Sequence, residues 1–337
     1  MSNFRVETWD VSQKDIWDDF VDEADGGTLF HKYDWLLAAK QHTGYELVPL
    51  TVHQGNKLVC VFPVFLVKMM SVNVVLSPPN GCAIPHLGPV ISLDTNKQHN
   101  VEKGTQKIIE EVYAYLKSEY NYDYIRIICS PAITDVRPFK WNNFSVAPMY
   151  TYNLDLNEGE STIFNNFDKR VKRRIRKAES NEQLTVSNRP LEEMFVLLKL
   201  VKERYKEQGE NFKVSETYLQ KLMNSSVAGN INVKIGFENN EAVTGMLLLK
   251  YKNSVHNWIG GINPNSRTAD GINELLIWDT INEYSRKQYH TYELMGADTE
   301  QLCDHKSKYN PALVSHFLAE KATLKGQVAL KLQQLKR

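Results

Sequence analysis

Cysteine is scarce in this chain: four in 337 residues, at positions 60, 82, 129 and 303, with no C-x-x-C pair. Such spacing excludes a disulfide scaffold or a zinc ribbon and points to a reducing compartment. Long apolar runs are missing as well. The most apolar stretch, Val59 to Val67, is interrupted by Pro63 and falls far short of the roughly 18 residues of a membrane span. Met1 to Phe20 lacks the basic start and apolar block of a signal peptide, so a cytoplasmic protein with no membrane span is expected. There is no HExxH, nucleophile elbow, G-x-x-x-x-G-K loop or G-x-G-x-x-G. Zinc peptidase, serine hydrolase, kinase-like and dinucleotide readings lose their support, and no metal is called for.

Net charge is also absent, with 40 Lys+Arg against 40 Asp+Glu, but the balance hides an asymmetry. Residues 1–150 hold 13 basic and 17 acidic residues and 151–337 hold 27 and 23, so an anionic partner should prefer the second half. What is present is a length that favours two domains and 42% hydrophobic residues to fill their cores.

The first half reads as a hairpin, Leu47 to Val52 and Leu58 to Val67, followed by a strand at Val72 to Leu76. A Pro/Gly-rich stretch, a helix at Lys103 to Lys117 and a buried strand at Tyr124 to Cys129 complete it. The second half repeats the order. Ile231 to Phe237, Val243 to Tyr251 and Ser254 to Ile259 form a meander, Gly271 to Tyr284 a helix, and Thr291 to Leu294 a strand. Helices precede each set: Lys14 to Val21 and Tyr33 to Lys40, then Ser161 to Glu179 and Leu191 to Tyr205. Two units with one element order suggest a tandem duplication, with domains at 1–148 and 149–323 and a basic tail at 324–337.

Lys169 to Lys177 carries seven basic residues in nine, while Phe164, Phe167, Val171, Ile175 and Ala178 recur at helical spacing. Repulsion along such an amphipathic helix is relieved by an anionic partner bound at Arg170, Arg173 and Arg174, or by acids elsewhere on a solvated face. In Ser254 to Ile259, His256 and Trp258 share one face of a strand; they line a substrate cleft or belong to the core. Asp270 stands where an N-cap for the following helix is expected.

The repeated order resembles the tandem GNAT-like architecture of the FemAB/FemX-type aminoacyltransferases and their acetyltransferase-like relatives. The stretches that carry the resemblance are Thr28-Leu29-Phe30 with Trp35-Leu36, Leu87-Gly88-Pro89-Val90 and the basic helix. To these is added Glu293-Leu294-Met295-Gly296 followed by Leu302, Lys306 and Tyr309. The chain departs from the family in reading His305-Lys306 and Tyr309-Asn310 where aromatics and glycine are common, and in lacking a long helical hairpin in the second domain.

The resemblance implies an α+β fold of two duplicated GNAT-like units with mixed, mainly antiparallel sheets, and transfer of an acyl group to the amine of a small or amino-acid-like acceptor. Acyl-coenzyme A is the expected donor; aminoacyl-tRNA held by the basic helix is the alternative, and a non-catalytic binding module the rival. It further implies a phosphate-binding segment at Arg267, Asp270 and Gly271, and a catalytic segment with Asp298 on the amine, Lys306 on a carboxylate or phosphate and Tyr309 as proton donor. Tyr205 and Arg204 are candidates for the acceptor side, and the loop with His86 for a wall of the groove.

Overall fold

The structure, a computed structural model, describes residues 4–69, 71–262 and 271–334. The chain divides into two compact units, Met1–Met149 with Ser315–Arg337, and Tyr150–Val314.

The first unit opens with β1 (Phe4–Thr8), α1 (Lys14–Glu23) and α2 (Tyr33–Thr43). The expected meander follows as β2 (Glu46–Gln54), β3 (Lys57–Met69) and β4 (Val72–Ser77), with the two-residue β5 (Val90–Ile91) added to β3. The long helix α3 (Gln98–Tyr120) then crosses to β6 (Tyr124–Ile128), which pairs parallel with β4, and α4 (Arg137–Trp141) closes the sequence. Valines and isoleucines suit strands buried on both faces. Leu50, Val52, Cys60 and Phe62 pack against Ile108, Ile109, Val112 and Leu116 of α3.

The second unit receives the chain on β7 (Ser145–Asp155). The single helix expected over 161–179 is two: α5 (Glu160–Asn166) and α6 (Lys169–Glu179), because Phe167 is extended and the Asp168 carboxylate caps the Arg170 amide at 2.7 Å. β8 (Leu184–Arg189), α7 (Met194–Glu207) and α8 (Glu216–Met223) lead to the meander β9 (Ile231–Glu238), β10 (Glu241–Tyr251) and β11 (Ser254–Ile262). Its first turn puts Asn239 and Asn240 at φ 50° and 66°, the left-handed pair that a two-residue hairpin demands and asparagine tolerates. α9 (Ile272–Arg286) then returns the chain to β12 (Thr291–Glu293), which pairs parallel with β11 and antiparallel with β7. Both units thus contain a meander, a crossover helix and a parallel final strand. Within the second, Leu276, Ile281 and Tyr284 of α9 pack with Leu248, Val255 and Tyr292.

After α10 (Glu300–Lys306) the chain forms β13 (Ala312–Ala322) and α11 (Leu324–Gln334). This corrects the expected boundary at 323. Leu318 to Ala322 pair antiparallel with Tyr124 to Ile128 of β6, so the first unit, not the second, owns the last strand. The segment expected as a basic tail is a helix whose Lys325 binds the Asp123 carboxylate at 2.9 Å. Among the described residues no helix is long and apolar enough to cross a membrane.

Candidate active site

Pairing between β11 and β12 covers only Ser254–His256 against Thr291–Glu293, although β11 runs on to Ile262. Beyond Glu293 the chain turns to β7: the Leu294 amide donates to the Tyr152 carbonyl at 2.8 Å and the Ala297 amide to that of Tyr150 at 3.1 Å. Met295 and Gly296 make the turn with φ of 52° and 67°. The two strands therefore part, and His256 and Glu293 sit where they do so. Glu293, 5% exposed, receives the His256 Nδ1 proton at 2.6 Å and the Thr151 hydroxyl at 2.7 Å. A carboxylate on Nδ1 fixes the imidazole's orientation and leaves Nε2 as a proton acceptor.

Lys306 reaches back from the end of α10 to the carbonyls of Met295 and of Gly296, the latter at 3.0 Å. Burial lowers its pKa to about 8, against the opposing pull of Glu293, Cys303 and Asp298.

A second feature lies at the start of α9. Arg170, Arg173, Arg174, Lys177 and Lys308 border a cavity of about 570 Å³, within the usual range for ligand sites. The Asp168 amide donates to the Lys308 carbonyl at 2.8 Å, which fixes the start of α6 beside the turn that follows α10. Glu274 and His305 line the same cavity, with Arg174 meeting Glu274 at 3.2 Å. Burial lowers the His305 pKa, with Glu274 acting in the opposite direction.

Residues 165–307 match the acetyltransferase (GNAT) domain family. The crystal structure of FemX superposes with a TM-score of 0.72 at 12% identity, over 96% of this chain and 99% of that one. The structure of L-PGS from Bacillus licheniformis gives 0.57 at 13% identity, over 98% of each chain. A tandem GNAT protein from the clavulanic acid biosynthesis pathway gives 0.56 at 8% identity, over 95% of this chain and 98% of that one. Residues 165–307 are thus similar to a GNAT domain, and the chain has the fold seen in FemX. The tandem architecture and the mixed, mainly antiparallel sheets expected from the sequence are those observed. No curated protein matches the chain in sequence.

The residues singled out by sequence fall into three groups. Arg170, Arg173 and Arg174 come together at the cavity, and His256 and Lys306 at the parting strands. Asp298 lies beside them but is exposed, and its carboxylate accepts the Tyr150 amide at 3.4 Å. Three others lie elsewhere. Tyr309 is fully buried, edge-on to Phe167 and His305, and burial raises its pKa well above the ordinary value, so it meets no solvent from which a substrate arrives. Trp258 is 7% exposed and packs edge-on to Tyr218 of α8; the β10–β11 pairing skips it, giving the strand a bulge. Tyr205 packs on Phe212 at 4.9 Å.

Gly271 has a packing role. It is the N-cap of α9, at φ 99°, and a Cβ there would stand 2.3 Å from the Arg174 carbonyl oxygen. The helix cap expected at Asp270 thus falls one residue later, and the glycine serves close packing of α6 on α9. Arg267 and Asp270 lie outside the described residues. Sequence reasoning missed Glu293 as the partner of His256, Thr151 as a partner of Glu293, and Glu274 in the cavity. The available signal was a carboxylate inside an apolar segment, in Tyr292-Glu293-Leu294 and in Ile272-Asn273-Glu274-Leu275.

Proposed function

We propose that the protein is an N-acyltransferase that takes an acyl group from a coenzyme A thioester to the amine of a small or amino-acid-like acceptor. The observation that carries this reading is the set of five cations around the cavity at the start of α9, in the same GNAT domain as the parted strands. Their donor set fits phosphate: guanidinium groups bind it bidentately and ammonium groups as point charges, and helix N-termini favour anions.

A thioester donor supplies an acyl carbonyl activated toward amines. The chain's own residues do the rest. His256, its Nδ1 proton held by Glu293, accepts at Nε2 the proton that the attacking amine sheds as the C–N bond forms; the C–S bond breaks and the departing coenzyme A thiolate takes up that proton. Lys306 holds the Met295–Gly296 turn by its carbonyls and places positive charge beside the end of β12. Asp298 and Lys306 remain the proposed acceptor-side pair, and Tyr309 supports them from the core by packing on His305.

The alternative donor, aminoacyl-tRNA, draws support from the exposed cations of α6 outside the cavity, Lys169 and Arg176. A thermal-shift comparison of acetyl-coenzyme A with charged tRNA, followed by mass detection of an acylated amine, separates the two. The coenzyme A reading expects stabilisation by acetyl-coenzyme A that Arg170→Ala/Arg173→Ala/Arg174→Ala loses. Stabilisation by tRNA alone, weakening steeply with salt, overturns it in favour of tRNA. A shift without product leaves the binding module.

A further inference from the structure

Glu274 is an odd member of a phosphate pocket. It is 4% exposed on the first turn of α9, one carboxylate oxygen is 3.2 Å from Arg174, and Oε2 has no hydrogen-bond partner among the described residues. It lines the cavity bordered by the five cations. A buried acceptor left unpaired costs folding free energy, and its charge repels any anion the cations attract. A site that only gathers phosphate gains nothing from it. The arrangement instead fits a ligand that brings an anion and a hydrogen-bond donor side by side. An ammonium donor would be opposed by the surrounding cations; a neutral hydroxyl is not.

Resting on the donor reading above, we propose that this pocket recognises a ribose 2′-hydroxyl next to a 3′-phosphate. The hydroxyl donates to Glu274 Oε2 and the phosphate is held by Arg170 and Arg173. Two molecules present this chemistry: coenzyme A, with its 3′-phosphorylated ribose, and an RNA chain, with its 2′-hydroxyls and 3′-phosphodiesters.

The test is calorimetric titration of the full chain with adenosine 3′-phosphate, 2′-deoxyadenosine 3′-phosphate and inorganic phosphate at one ionic strength. The wild type should bind the ribonucleotide ~10-fold or more tightly than its deoxy analogue, as expected for a hydrogen bond to a charged group. In Glu274→Gln, Arg174 keeps the amide oxygen and the amide nitrogen takes the place of Oε2, presenting donors. The ribose preference should then vanish while inorganic phosphate binds more tightly. Arg173→Ala, which leaves Glu274 in place, should weaken all three ligands and keep the preference, a readout that survives if Glu274→Gln fails to fold. Equal binding of the two nucleotides by the wild type, or a preference retained in Glu274→Gln, overturns the proposal.

The two sources part with coenzyme A, 3′-dephospho-coenzyme A and an oligoribonucleotide ending in CCA. A ~10-fold loss on removing the 3′-phosphate assigns the site to coenzyme A, and salt-sensitive binding of the oligonucleotide alone assigns it to RNA. Acetyl transfer by a protein with no ribose preference sinks this inference and leaves the enzyme reading intact. A ribose preference without transfer from either donor does the reverse.

Discussion

His256 and Glu293 are 37 residues apart and meet only because β11 and β12 pair in parallel and in register. The carboxylate's contribution is orientation and charge, which Glu293→Gln removes while an amide oxygen can still accept the Thr151 hydroxyl. That variant and His256→Gln are each expected to lower kcat by ~10²-fold or more with KM little changed, as measured by steady-state acylation of the acceptor. Unaltered kcat in both removes the base from this pair. Lys306 makes a separate prediction, independent of activity. Its pKa falls by burial from 10.5 to about 8, so between those values the unfolded chain carries a proton that the folded protein has released. Stability contributed by this group is therefore present above the ordinary lysine value and is lost as pH falls through about 8. Over pH 7.5 to 9.5 the wild type should gain up to ~2 kcal/mol relative to Lys306→Met, read from urea midpoints at each pH. Curves that stay parallel would assign Lys306 an ordinary pKa. The histidine and the lysine were legible because each stands out in a short motif. Their partners were not, since parallel register and the two left-handed residues after Glu293 are properties of the folded sheet.

α6 and α9 meet at a place where no side chain fits. Gly271, at φ 99°, would put a methyl 2.3 Å from the Arg174 carbonyl oxygen, and this oxygen belongs to backbone that cannot rotate away. Gly271→Ala should cost ~2 kcal/mol or more and push α6 off α9, weakening phosphate binding at the cavity they share. Gly44→Ala is the control. Its φ of 70° is as left-handed, but nothing lies within 4 Å of the added methyl, so only the ~1–2 kcal/mol conformational cost applies and phosphate affinity should not change. Equal destabilisation of the two variants would deny the helix contact its role. Most elements were readable at this scale because strands and turns announce themselves locally: the Asn239-Asn240 turn and the meander around it follow from residue chemistry alone. The break between α5 and α6 was not, because the apolar spacing from Phe164 to Ala178 continues straight through it. Asp168 ends the first helix by capping the second, and a single aspartate within a basic run gives little warning.

At the scale of the whole chain, the last 26 residues decide what counts as a domain. Read for charge, 324–337 is a basic tail; read for pairing, 312–322 is a strand that the first unit requires. β13 bonds along β6 and brings the fully buried Ala319 into the core with Ile125 and Ile127, and it also carries His316, 3% exposed. α11 is attached more lightly. Leu324 and Val328 are exposed, Ala329 packs on the small cluster of Val72, Val74 and Leu76, and Lys325 meets Asp123 at the surface. Two truncations should therefore behave differently. Ending the chain after Thr323 removes one exposed ion pair and a modest apolar contact, and is expected to cost ~1–3 kcal/mol while leaving a single cooperative melt. Ending it after Pro311 strips β6 of its antiparallel partner, leaving it paired with β4 alone, opens the core beneath it, and should make residues 4–149 the preferred target of limited proteolysis. A tail serving only to attract polyanions would leave the melting curve unchanged in both. Survival of the first unit without β13 would mean that β1 to β6 and α3 form a sufficient core, and that the strand is an addition to the unit and not a part of it.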